Sequence, residues 1–134
     1  MLLLRSIALA GFLVASAAFC TPGWAQDAAA GEKVFTVCKA CHQIGPTAKN
    51  AVGPELNGVV GRKAGSVEGY SYSAANKESG ITWDEATLTP YLQNPQAVVK
   101  GTKMAFAGVK DPQKVKDLIA YLSQYSADGQ KKSP

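Results

Sequence analysis

The pentapeptide Cys38-Lys39-Ala40-Cys41-His42 packs three residues with metal-binding or thioether chemistry into five positions. On a helical turn the two thiols fall on one side and the imidazole that follows them comes underneath. Each cysteine can then form a thioether with a vinyl group of a porphyrin while the imidazole meets the iron, which is the attachment signature of a c-type haem. Covalent attachment would retain a large apolar ring that the small core of a short chain could not otherwise be counted on to hold. Three other readings use the same residues. A structural zinc site needs four ligands, so a carboxylate would have to complete the set. A redox-active disulfide of the thioredoxin type sits beside a βαβ pattern, which is absent from this sequence. A plain disulfide across two intervening residues closes too small a loop to stabilise much.

If a haem is present, the ligand opposite His42 decides what the iron can do. The chain has one histidine and two methionines, Met1 and Met104, so the available second ligand is Met104. It lies in the glycine-bounded loop Gly101-Thr102-Lys103-Met104-Ala105-Phe106-Ala107-Gly108, a segment able to carry a thioether to a metal. A histidine–methionine iron has both axial positions filled, and the thioether raises the reduction potential relative to a second imidazole. With no open position for substrate, peroxide or oxygen, outer-sphere electron transfer is the remaining chemistry. The expectation is a carrier and not an enzyme. The rival from another class is an enzyme or gas sensor with an open iron site. A cytochrome c′ bundle is the nearest such family, but it carries its haem motif near the C-terminus and has no methionine loop.

The elements that must position these residues can be read from caps and spacing. Asp27 predicts the N-cap of a helix from Ala28 to about Ala40, with Val34, Phe35 and Cys38 on one side. From Gly45 to Ser79 six glycines and two prolines exclude a long helix or regular sheet, and a loop of that length in an ordered domain is expected to wrap a ligand. Thr82-Trp83-Asp84-Glu85 matches a capping box, predicting a helix from near Trp83 to Leu92 or Gln93, with Pro90 inside it as a kink or as a second start capped by Thr89. Asn94-Pro95 predicts a short helix through about Val99. Asp111 and Pro112 open a last helix whose Val115, Leu118, Ile119 and Leu122 form one apolar stripe, ending near Tyr125 before a loose basic tail. No strand pattern of useful length appears, so the class is all-α: three main helices, short helices and long loops around one haem.

The N-terminus reads as a leader. A short charged start precedes the 13-residue apolar run Ile7 to Phe19, too short for a membrane span, and Gly23-Trp24-Ala25 offers a small-residue cut site. Residues 1–25 are therefore expected to be a cleaved signal peptide and 26–134 the functional domain, exported to the periplasm. Cys20 follows bulky Phe19, where lipid processing needs a small residue. After cleavage 13 Lys and Arg face 10 Asp and Glu. That mild positive balance, without basic–aromatic interleaving, excludes a nucleic-acid partner and suits an acidic protein surface.

In the order and spacing of these motifs the chain resembles the class I cytochromes c, most closely the bacterial cytochromes c2, from Gly31 to about Tyr125. The resemblance implies a single covalent haem c, with Gly31 and Phe35 of the first helix against Leu118 and Tyr121 of the last. It implies that Pro54, in Gly53-Pro54-Glu55-Leu56-Asn57-Gly58, accepts the N–H of His42. Arg62, Tyr72 and Trp83 would meet the haem propionates or their waters, and Thr102 would lie near a propionate. Tyr91 would lie near the methionine sulfur, Asn76 would be the pocket-water residue, and Phe106 would stand beside the haem edge. A lysine ring for transient docking would be drawn from Lys33, Lys39, Lys49, Lys103 and Lys110. The implied role is that of a monomeric periplasmic shuttle. It would carry one electron from a bc1-type quinol-oxidising complex to a photosynthetic reaction centre or terminal oxidase, without inserting into the membrane.

Overall fold

The computed structural model describes residues 25–133. The expected leader thus lies outside the described residues, apart from Ala25. Five helices follow in order: α1 (Ala28–Phe35), α2 (Ala74–Glu78), α3 (Glu85–Gln93), α4 (Pro95–Val98) and α5 (Pro112–Ser123). Among the described residues the only β pairing is two isolated bridges, Lys63 with Thr82 and Tyr125 with Lys131. No helix there is long and apolar enough to cross a membrane.

The central packing event is the crossing of α1 over α5. Asp27 caps α1 by accepting from the Ala29 and Ala30 N–H groups, and its own N–H donates to the Asp117 carboxylate on α5 at 3.0 Å. A Cβ at Gly31 would overlap the Asp117 carbonyl and meet the Tyr121 Cβ at 2.8 Å, so a glycine is required where the two helices touch. Beside it Phe35 is 1% exposed and stacks on Tyr121 with ring centroids 5.2 Å apart. The predicted stripe of α5 is the core itself: Val115 and Leu118 are fully buried and Ile119 and Leu122 nearly so.

The structure corrects several boundaries. α1 ends at Phe35, not near Ala40. From Thr36 to Cys41 the chain continues as tighter turns, including Cys41 N–H to the Cys38 carbonyl at 3.0 Å. The glycine-rich stretch is not structureless throughout, because Ser73 caps the short α2 through its hydroxyl. α3 starts at Glu85 and not at Trp83. Its capping box is Asp84 with Thr87, and Trp83 stays extended because its N–H and carbonyl pair with Arg62 and Gly61. Pro90 neither ends α3 nor restarts it, and Thr89 back-bonds to the Glu85 carbonyl instead of capping. The basic tail is not loose: Lys132 N–H donates to the Gln124 carbonyl and the Lys131 ammonium lies 5.6 Å from the Tyr125 ring centre.

Candidate haem site

α1, α2, α3, α5 and the loops between them line a cleft of about 390 Å³. Its wall is largely apolar, with Phe35, Leu88, Leu92, Leu118 and Leu122 contributed by the core. Cys38, Cys41, His42 and Met104 line it, and so do Pro54, Arg62, Tyr72, Asn76, Trp83, Tyr91, Thr102 and Phe106. Residues 66 positions apart in sequence thus reach one apolar space, the setting in which a few polar groups orient a ligand.

One flank is built around His42. Its Nδ1 lies 2.7 Å from the Pro54 carbonyl, a contact that requires the proton on Nδ1 because a carbonyl only accepts. Nε2 is left with its lone pair, the form that binds a metal. Burial pushes the imidazole pKa below its ordinary value, the Pro54 bond pushes it back up, and the Arg62 charge lowers it, so the neutral ring is favoured. Gly53 packs against the ring face: a Cβ there would overlap Cε1 and stand 2.6 Å from Nδ1. The proximal loop carrying Pro54 is tied by a dense polar set. Arg62 donates to the Asn57 carbonyl at 2.7 Å and to the Glu55 carbonyl at 3.0 Å, and pairs with the Glu55 carboxylate at 3.3 Å. Glu55 also accepts from Asn57 N–H at 2.6 Å, while the Asn57 side chain exchanges two bonds with the Gly45 backbone.

A second flank carries Met104. The Tyr91 hydroxyl lies 3.4 Å from Met104 Sδ. Burial raises the Tyr91 pKa, with the Thr102 hydroxyl lowering it in part, so the phenol stays protonated and donates. Thr102 Oγ1 accepts from Met104 N–H at 3.2 Å. Tyr72 receives the Val67 N–H on its hydroxyl at 3.3 Å, and Trp83 packs against Tyr91 with ring centroids 4.5 Å apart. Asn76 lines the largely apolar cleft, and its Oδ1 is buried without a hydrogen-bond partner. An unmatched acceptor in an apolar cleft suits a large planar group that brings its own polar edge and waters.

The five lysines are exposed, but not equivalent. Lys103 lines the cleft and donates to the Ser71 carbonyl at 3.1 Å, and Lys110 donates to the Gln93 carbonyl at 2.6 Å. Lys39 stands between the two cysteines in sequence but, like Lys33, Lys49 and Lys110, lies outside the cleft lining. Val37 and Val52, 59% and 74% exposed, sit at the cleft margin with Lys103.

The geometry disfavours the other readings of the cysteines. Cys38 and Cys41 are not bonded to each other. Burial, and then the neighbouring Cys41, push the Cys38 pKa up to about 11, opposite to the low value of a redox-active thiol. Among the described residues no three of His, Cys, Asp and Glu converge as a metal site, so a zinc set of Cys38, Cys41, His42 and a carboxylate is not formed.

The family model for cytochrome c matches residues 28–126. The chain belongs to the cytochrome c family. Cytochrome c2 of Blastochloris viridis is 60% identical over 116 residues, covering 87% of this chain and 91% of its own. Cytochrome c-554 of Methylosinus trichosporium is 57% identical over 124 residues, 90% of this chain and 94% of that one. The solved structure of cytochrome cH from Methylobacterium extorquens superposes with a TM-score of 0.69 at 57% identity, covering 72% of this chain and 97% of its own. The fold is thus the small all-α fold of the class I cytochromes c, and the cofactor is covalently bound haem c. The protein is a small cytochrome c electron carrier, similar to cytochrome c2.

Sequence reasoning passed over three residues. Gly53 was visible only as part of a loop string, although its lack of a side chain makes room for the His42 ring. Glu55 gave no signal as the partner of Arg62. Gln96 donates to the carbonyls of both Thr102 and Met104, and an exposed glutamine in a short helix gives no sequence signal of such a role.

Proposed function

We propose that residues 1–25 direct export and are removed, and that residues 26–134 are a monomeric periplasmic shuttle holding one haem through thioethers at Cys38 and Cys41. His42, through Nε2, and Met104, through Sδ, would hold the iron. The bound haem supplies a one-electron ferrous–ferric couple. His42 presents Nε2 while Pro54 keeps the proton on Nδ1, which makes the ring a better donor. Tyr91 orients the Met104 thioether, and the apolar wall excludes water, favouring the less charged ferrous state. Arg62, Tyr72, Asn76, Trp83 and Thr102 serve the polar edge of the ring, and Phe106 its margin. The observation that carries this reading is the convergence of His42, with its tautomer set, and Met104, with its sulfur held by Tyr91, on the cleft that Cys38 and Cys41 line.

In this reading the electron comes from a bc1-type quinol-oxidising complex and goes to a photosynthetic reaction centre or terminal oxidase. Docking uses Lys33, Lys39, Lys49, Lys103 and Lys110 for long-range attraction, and exchange between partners requires contacts that are weak and salt-sensitive. The test is the visible spectrum of the purified, dithionite-reduced protein before and after carbon monoxide. A c-type spectrum indifferent to carbon monoxide supports a carrier with both axial positions filled. A c-type spectrum that shifts favours a sensor or enzyme with an open iron.

A further inference from the structure

The loop between α4 and α5 is anchored at both ends. Thr102 N–H donates to the Val99 carbonyl at 3.0 Å, and Val109 N–H donates to the Leu92 carbonyl at 2.8 Å. Between these anchors, Met104 N–H bonds to Thr102 and Phe106 N–H bonds to the Met104 carbonyl, contacts that lie within the loop and move with it. Among the described residues, one side chain from outside the segment bonds the backbone of residues 102–106. It is Gln96, whose Nε2 donates to the Thr102 carbonyl at 3.1 Å and to the Met104 carbonyl at 3.3 Å. A carboxamide NH₂ has two hydrogens, and two carbonyls are what they meet.

The base of this bridge is fixed. Gln96 is the second residue of α4, directly after Pro95, which is fully buried, and Asn94 caps the helix by accepting from Ala97 N–H. Gln96 itself is exposed, so packing does not account for its position. We infer that Gln96 is a positioning residue that clips the Met104 loop to α4 and thereby sets how often the methionine leaves its place and admits an outside ligand.

The inference rests on Met104 as the axial ligand. Its physical content is a two-state loop. Both Gln96 bonds exist only in the closed arrangement, so their loss raises the open population and, in proportion, the apparent affinity for any ligand that binds the open form. The experiment uses oxidised holo-protein titrated with imidazole, followed by loss of the red-region absorption of methionine-ligated ferric haem. Gln96→Ala is expected to raise imidazole affinity about fivefold to tenfold, the worth of one to two neutral hydrogen bonds. Gln96→Glu keeps the length but offers only acceptors to two carbonyls at neutral pH, and is expected to loosen the loop at least as much. Gln96→Arg restores donors and is expected to stay within about twofold of the unsubstituted protein. Thermal unfolding of each variant separates loosening of the loop from loss of the fold. Ala and Glu variants that bind imidazole like the unsubstituted protein would overturn the inference, as would an Arg variant as loose as Ala. Failure of the ligand assignment is seen separately, because the unsubstituted ferric protein would then lack the methionine–iron absorption before any variant is made.

Discussion

On the His42 side of the cleft, the imidazole bonds the Pro54 carbonyl, the loop carrying Pro54 is tied by the Arg62 guanidinium, the Glu55 carboxylate and the Asn57 amide, and Gly53 is fitted against the ring. On the Met104 side a short loop, anchored by backbone bonds at Thr102 and Val109, is held between those anchors by a hydroxyl–sulfur contact of 3.4 Å, a threonine oxygen, one exposed glutamine and the exposed Lys103 ammonium on the Ser71 carbonyl. The first flank resists displacement because the loop that presents the Pro54 carbonyl is tied at several points and cannot follow the ring, so moving His42 leaves that part-buried carbonyl unmatched. The second flank has exposed ties, from Gln96 and Lys103, whose bonds water can replace as the loop opens. With His42 and Met104 as the proposed ligands, a carrier built this way is expected to lose its methionine before its histidine, so that its reduction potential and ligand exclusion would depend on the weaker flank.

The largest effect should come from breaking the rigid side. Gly53→Ala places a Cβ into the His42 ring, and the backbone or ring must shift; a loss of about 3 kcal/mol is expected, read as the change in denaturant midpoint of the holo-protein. An unchanged midpoint would show that the proximal loop is as adaptable as the distal one. On the softer side, Tyr91→Phe removes the donor to Met104 Sδ while leaving the ring against Trp83. A loss of about 1 kcal/mol is expected, measured as easier displacement of the methionine by imidazole with little change in thermal midpoint. Lys103→Glu reverses a charge at the cleft margin and is expected to slow electron transfer to an acidic redox partner at low salt, with little effect at high salt. Stopped-flow rates across an ionic-strength series measure it, and equal slowing at both extremes would remove the steering role.

The smallest effect concerns the cap of α3, the helix that carries Tyr91. Hydrogen bonds from the Thr87 backbone and hydroxyl hold the Asp84 carboxyl below its ordinary value of 3.8. The folded pKa is the depressed one, so the contribution is present above the unfolded value and is lost as pH falls through the folded value. Asp84→Asn keeps a capping oxygen, and is expected to flatten this acid-side slope slightly while changing little at neutral pH. Thermal scans at pH 7 and pH 3 report it.

Much of this molecule was legible because its signals are local. Five residues from Cys38 to His42, one remaining methionine, and caps followed by proline at α4 and α5 each specify their structure without long-range help. The misread boundaries have tertiary causes. Trp83 sits inside an apparent helix start but is drawn into extended pairing with Gly61 and Arg62, which pushes the cap to Asp84. α2 has no apolar periodicity to announce it, and the basic tail is ordered by Tyr125, a partner that charge patterning does not reveal. Gln96 and Glu55 escaped for the same reason: each acts on backbone carbonyls, amides or a guanidinium that the fold alone brings within reach.

The most direct test of the account is a redox titration of Met104→Ala beside the unsubstituted protein, with carbon monoxide added to each reduced form. The variant is expected to have a lower reduction potential than the unsubstituted protein and to bind carbon monoxide, which the unsubstituted protein excludes. A variant that keeps the original potential and still excludes carbon monoxide would contradict Met104 as the ligand, and with it the division of the cleft into a fixed histidine side and a labile methionine side.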